Sequence, residues 1–222
     1  MVALTFDDGP NATATPAILD ALAARHVPAT FFVFGERAGE HPDLIARMVA
    51  DGHDVQPHCW ASHASHHEMS RAELDDDIAR TLGVLERLGC PRPRFWRPPN
   101  GDIRYPQSYD VAAVHGVRLV TWTLQTCDWK DERAADRILR EIDDEAREDV
   151  ALRADSVVLM HDLPEAPRLL EGLLERMDAR GYEPGLLAPD NAAIARGGDY
   201  RFGRQDGRLP CGLEQERRLL VC

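Results

Sequence analysis

The sequence contains no long hydrophobic run: none of its 222 residues lies in a stretch approaching the roughly 20 apolar residues of a membrane helix. It is also short of positive charge. Against 38 acidic residues stand 26 lysines and arginines, a net charge of −12. That balance disfavours sequence-independent binding to nucleic acid or to anionic lipid. Cysteines are few and odd in number, at positions 59, 90, 127, 211 and 222. Without a regular framework they fit reduced thiols in a reducing compartment, although Cys211 and Cys222 could pair. The N-terminus lacks a charged segment followed by an apolar one. The expectation is a cytoplasmic protein if Met1 is the native start, and a secreted one if the chain has been trimmed. Internal repeats and long low-complexity segments are also lacking.

What remains is an ordinary globular composition, 44% hydrophobic and 29% charged, with enough chain for one sizeable core. Short apolar runs alternate with helical periodicities. Strands are expected over 2–6, 29–34, 54–57, 95–97, 117–124 and 156–160, with a weak seventh near Leu186 and Leu187. Thr15 and Pro16 read as the cap and first position of a helix whose apolar face is Ile18, Leu19 and Leu22. Leu44, Ile45, Met48 and Val49 form a second stripe. Ser70 and Glu73 make a capping box that opens a helix with Leu74, Ile78, Leu82, Leu85 and Leu88 on its core face. Further helices are expected over 107–115, 134–147 and 167–180. This repeated β-then-α order implies an α/β fold with a largely parallel sheet, here an irregular (β/α) barrel of about seven strands. It would occupy residues 1–189. Residues 190–222 have a different texture, with five glycines and six arginines against five acidic residues. They are expected to pack on the barrel or trail from it.

The polar residues fall in a telling place. Asp7 and Asp8 follow the first expected strand, His58 the third and Asp128 the fifth; Arg97 ends the fourth, and His161 follows the sixth. In parallel β/α folds the βα loops converge at these C-terminal strand ends and carry the active site. Adjacent carboxylates such as Asp7 and Asp8 can take different directions, one toward a metal and one toward a proton. Between positions 58 and 67 stand His58, His63, His66 and His67, and neutral imidazole is the commonest metal ligand. His58 and His63 do not suit one helix face, because five residues advance about 500° and leave them roughly 140° apart. A strand end plus an irregular loop must bring them together. Arg97 sits in Phe95-Trp96-Arg97-Pro98-Pro99-Asn100-Gly101, a loop stiffened by two prolines. An arginine there, facing a carboxylate, would favour its ionised form and fix its orientation.

These stretches resemble the motifs of the polysaccharide deacetylase family, the NodB-homology domain of carbohydrate esterase family 4. Thr5-Phe6-Asp7-Asp8-Gly9-Pro10 matches its first motif. Phe95 to Gly101 resembles its Arg-Pro-Pro loop, Asp128-Trp129 its Asp-Trp motif, and Leu159-Met160-His161-Asp162 its Leu-x-His-Asp motif. They come in family order over about residues 2–187. The resemblance implies that Asp7 is the general base and that Asp8, His58 and His63 hold one divalent metal, usually zinc, with cobalt or nickel as alternatives. It implies that Arg97 orients Asp7 and that His161 is the general acid, tuned by Asp128. Trp129 and Leu159 would line the substrate groove and acyl pocket, and the backbone N–H at Asn100 would meet the oxyanion. The chain departs from the family in three places. His58 and His63 are separated by four residues where the family has three, so His66 and His67 stay open as ligands. Asn100 stands where an aromatic residue is common. Gln125 replaces an aspartate.

The function implied is hydrolysis of an N-acyl amide, most simply N-acetyl, on an amino sugar or small amine-bearing metabolite, releasing acetate and a free amine. The partner expected is a small-molecule or oligosaccharide substrate rather than an insoluble wall polymer. Two other classes compete: a non-catalytic carbohydrate-binding protein on the same fold, and a metal-independent amide or imide hydrolase of the wider superfamily.

Overall fold

Val2 to Phe6 is apolar except for Thr5, and such a strand is stable when both of its faces are covered. In the computed structural model it extends to Gly9 as β1 (Val2–Gly9), with Val2, Leu4 and Phe6 on one side and Ala3 on the other. The structure describes residues 1–61, 68–101, 103, 106–130, 134–144 and 151–188. Along them follow α1 (Ala14–Ala24), β2 (Thr30–Phe34), α2 (Gly35–Glu40), α3 (Pro42–Ala50), β3 (Asp54–Cys59) and α4 (Arg71–Arg87). Then come β4 (Phe95–Trp96), α5 (Pro106–His115), β5 (Arg118–Leu119), β6 (Leu124–Gln125), α6 (Ala134–Asp143), β7 (Val157–His161), α7 (Ala166–Arg180) and β8 (Pro184–Gly185).

The main sheet runs β3-β2-β1-β7-β6, with β8 beside the start of β1, and every pair in it is parallel. β4 and β5 form a second parallel pair. The Gln56 amide oxygen on β3 accepts the N–H groups of Arg94 and Phe95 at 2.9 and 2.7 Å, which docks β4 beside β3. The result is the expected irregular (β/α) barrel. Outside the sheet, Leu4, Phe6, Val158 and Met160 pack against Ile18, Leu19 and Leu22 of α1 and Leu169, Leu170 and Leu173 of α7. Inside, Ala3, Phe32, Phe95, Val120, Trp122, Val157, Leu159 and Leu187 form the filling. The two layers follow from the period-2 alternation of each strand.

Several expectations are corrected. The stretch 117–124 is two short strands, because the Thr121 carbonyl between them accepts Arg97 Nη2 at 3.0 Å and the Thr123 hydroxyl accepts the Val157 N–H at 2.8 Å. Thr15 is not the cap of α1. Asn11 Oδ1 accepts the N–H groups of Thr13 and Ala14 at 2.8 and 3.0 Å, and Thr15 is buried in the first turn. α2 has no apolar periodicity to announce it. The weak last strand lies at Pro184–Gly185, just before Leu186. The Ser70–Glu73 capping box is present, with both of its bonds. Among the described residues, Cys59, Cys90 and Cys127 form no disulfide with one another. No helix among the described residues is long and apolar enough to cross a membrane. The expected boundary at 189/190, the extension 190–222 and the pair Cys211 and Cys222 lie outside the described residues.

Candidate active site

The alternation of β1 puts Thr5 and Asp7 on the face that lines the barrel, and that of β7 puts Leu159 and His161 there. Asp7 stands opposite His161, and Thr5 opposite Leu159. Arg97, fully buried at the end of β4, reaches across to them. Its Nη1 donates to Asp7 Oδ1 at 2.7 Å and to the Thr5 hydroxyl at 2.8 Å. Its guanidinium lies 4.2 Å from the Phe32 ring centre and 5.8 Å from that of Trp122. Burial works against the charge of Arg97, and the Asp7 carboxylate opposes that effect. A buried pair of this kind stabilises little net, but it fixes one oxygen of Asp7 in place.

Asp8 and His58 owe their positions to two bulges. Between Asp7 and Gly9, β1 advances two residues while β2 advances one, so Asp8 is the extra residue. Between Pro57 and Cys59, β3 does the same against β2, and His58 is the extra residue. Bulges of this sort re-aim a side chain at the rim of a sheet. Asp8 has φ 73°, so its side chain leaves the alternation that would send it away from Asp7. Asp8 Oδ1 and His58 Nε2 approach to 3.4 Å from either side of β2. His58 Nδ1 lies 2.6 Å from the Arg97 carbonyl oxygen, which can only accept, so this nitrogen carries the proton. That leaves Nε2 as a lone-pair donor. A carboxylate oxygen beside an imidazole whose tautomer is preset by a backbone carbonyl fits a divalent ion. Among the described residues no group of three His, Cys, Asp or Glu side chains could hold one. His63, His66 and His67 lie outside the described residues.

At the end of β7, His161 Nδ1 donates to Asp128 Oδ1 at 2.7 Å, and the His161 N–H donates to Asp128 Oδ2 at 2.7 Å. Burial alone would lower the imidazole pKa. The hydrogen bond and charge of Asp128, joined by Asp7 and Asp8, outweigh it and push His161 up to about 9. The Trp129 ring stands edge-on to His161 at 4.8 Å between centroids and is 45% exposed. Leu159 is buried two residues before it on the same face of β7, in the barrel filling. Asn100 is exposed and has φ 58° in a tight turn over Pro99–Gly101. Asparagine tolerates that left-handed backbone better than a bulky residue does.

The geometry thus gathers Asp7, Asp8, His58, Arg97, Asp128 and His161 at one end of the barrel. The polysaccharide deacetylase family matches residues 1–120. The chain belongs to that family. A chitooligosaccharide deacetylase of Bradyrhizobium is 38% identical over 202 residues, covering 82% of this chain and 86% of its own. A peptidoglycan-N-acetylglucosamine deacetylase of Bacillus cereus is 35% identical over 177 residues, covering 80% of this chain. The chain spans only 60% of that relative's length. Among solved structures, a family 4 carbohydrate esterase from Streptomyces lividans in complex with acetate superposes with a TM-score of 0.77 and 28% identity, over 88% of this chain and 96% of its own. A family 4 acetyl xylan esterase from Clostridium thermocellum, in complex with a cobalt ion, gives 0.73 and 30%, over 83% and 87%.

Around this polysaccharide deacetylase site stand residues that sequence reasoning did not single out. Arg37 Nη1 of α2 donates to the Asp8 carbonyl oxygen at 2.6 Å. Asp77 Oδ1 of α4 accepts the Trp60 N–H at 2.9 Å, holding the chain just after His58. Burial pushes the Asp77 carboxyl up to about 6, against the opposing pull of the Trp60 N–H, Arg80 and His58. In the sequence it is the last of three consecutive aspartates. Asp162 was in view as the last residue of a motif, without a role.

Proposed function

We propose that the chain is a metal-dependent N-deacetylase that hydrolyses the acetamide of an N-acetylated amino sugar within an oligosaccharide, releasing acetate and a free amine. The observation that carries this is the pairing of two proton-handling groups on adjacent strands, Asp7 held by Arg97 and His161 held by Asp128. Asp8, His58 and, as third ligand, His63 would hold the ion, for which zinc is the first choice and cobalt or nickel the alternatives. When bound, it supplies a Lewis acid that polarises the acyl carbonyl and makes a water a better nucleophile.

The chain's own residues supply the proton movements. The free oxygen of Asp7 accepts a proton from the attacking water, while Arg97 keeps the carboxylate oriented. The backbone N–H at Asn100 meets the oxygen on which negative charge develops. His161, charged over most of the neutral range because of Asp128, hands its proton to the departing nitrogen. That step matters because an unprotonated amine is a poor leaving group. Trp129 offers an exposed ring to a sugar face beside the acid.

An oligosaccharide is favoured over a wall polymer by the Bradyrhizobium relative, of whose length this chain covers 86% and whose name specifies chitooligosaccharides. The test is acetate release from soluble N-acetylchitooligosaccharides, colloidal chitin and peptidoglycan, with zinc, cobalt and nickel added in turn after chelation. Release that is fastest from the soluble sugars and requires a divalent ion is the expected result. Full activity in EDTA overturns the metal, and faster release from the polymers overturns the substrate class.

A further inference from the structure

Asp8 is the residue whose conformation needs explaining. A non-glycine residue at φ 73° is strained by roughly 1–3 kcal/mol and persists only where its surroundings hold it. Two side chains press on the turn that it begins. Arg37 Nη1 holds the Asp8 carbonyl from one side, at 2.6 Å. From the other comes Asp162, which follows the end of β7 and is 3% exposed.

Asp162 is tied to the turn at several points. Its N–H donates to the Asp7 carbonyl at 3.0 Å. Its Oδ2 accepts the Thr15 hydroxyl at 2.5 Å, and that hydroxyl accepts the Asn11 N–H at 2.7 Å. The carboxylate is also packed beneath Gly9, where an added Cβ would lie 2.3 Å from Oδ2. Its Oδ1 is buried without a hydrogen-bond partner among the described residues. A buried unpaired carboxylate oxygen costs stability, so fold stability alone does not account for an aspartate here.

We propose that Asp162 is a positioning residue: through Thr15, Gly9 and the Asp7 carbonyl it clamps the Asp8 turn so that the Asp8 carboxylate is aimed at His58 before any metal arrives. This rests on the reading of Asp8 and His58 as metal ligands. It makes metal affinity, rather than the chemical step, the quantity that Asp162 controls. Outer-shell partners of this kind typically change metal affinity by about 10–100-fold when removed.

The experiment measures zinc affinity by competition with a chromophoric chelator, on the wild type, Asp162→Ala, Asp162→Asn and Thr15→Val, with melting temperatures alongside. Asp162→Ala is expected to weaken zinc binding about 10–100-fold. Asp162→Asn, which keeps an acceptor for the Thr15 hydroxyl, recovers most of the loss. Thr15→Val shifts affinity in the same direction as Asp162→Ala but less far. Should Asp162→Ala not fold, the other two variants carry the test. Unchanged zinc affinity in variants whose melting temperature falls shows a merely structural residue and overturns the proposal. A wild type that binds no divalent ion instead overturns the metal reading itself, and the two failures are told apart by the wild-type titration alone.

Discussion

His161 and Asp128 make the clearest residue-scale case, because their geometry has a direct consequence in pH. His161 sits at about 9, raised from 6.5. A raised histidine stabilises the folded chain fully below pH 6.5, and that contribution is lost as pH rises through about 9. Asp128→Asn removes the charge that holds the proton. The basic limb of kcat/KM is expected to move from about 9 toward the ordinary histidine value of about 6.5, with kcat at pH 8 falling by about 30-fold as the protonated fraction drops. A pH–rate profile on a soluble N-acetylated sugar reads this, and an unmoved basic limb would show that His161 is not the acid. The two adjacent aspartates divide their labour in the same way. Asp7→Asn should lower kcat by about 10²–10⁴-fold while leaving metal affinity within a few-fold. Asp8→Asn should weaken metal binding itself. Equal loss of metal in both variants, measured by elemental analysis, would contradict that division. All six residues of the described site were legible in the sequence, because strand ends mark positions where polar side chains converge. Asp162, Arg37 and Asp77 were not. Their roles depend on which backbone groups the fold brings next to them, and no spacing encodes that.

At the scale of the element, the decisive features are two bulges and a helix. The bulges at Asp8 and His58 turn two residues out of strict alternation, and nothing in the local sequence announces an extra residue in a ladder. α4 matters beyond its packing because it carries Asp77, which holds Trp60 two residues after His58. Its capping box was legible in the sequence because Ser and Glu three residues apart satisfy each other's backbone groups. Ser70→Ala should cost about 1 kcal/mol and lower the melting temperature by roughly 2–4 °C, a change that calorimetry resolves. The split of 117–124 into β5 and β6 was not legible, since that run is as apolar as a continuous strand. Only the reach of Arg97 to the Thr121 carbonyl shows why the ladder breaks there.

For the whole molecule, the two-layered core and the site are nearly independent. The core lies between the sheet and its helices and inside the barrel, whereas the site lies at the strand ends. Chelation should therefore abolish acetate release without unfolding the chain. The far-UV circular dichroism should persist, and added zinc or cobalt should restore turnover. At metal concentrations about 100-fold above Kd, bound metal adds about 2.7 kcal/mol, or roughly 5–10 °C in melting temperature. Collapse of the circular dichroism in EDTA would mean that the ion is structural. The sequence by itself determined the parallel β/α architecture, because apolar runs separated by helical periodicities leave no other way to cover both faces of the strands. It also determined the family, because Asp7, Asp8, Arg97, Asp128 and His161 stand in fixed local strings. Tertiary structure alone decided how Asp7 meets Arg97 across 90 residues, how Asp8 comes to face His58, and how Asp162 is locked beneath Gly9. Those contacts join strands remote in the chain, and their geometry is set by register, bulges and packing rather than by the identity of neighbours in sequence.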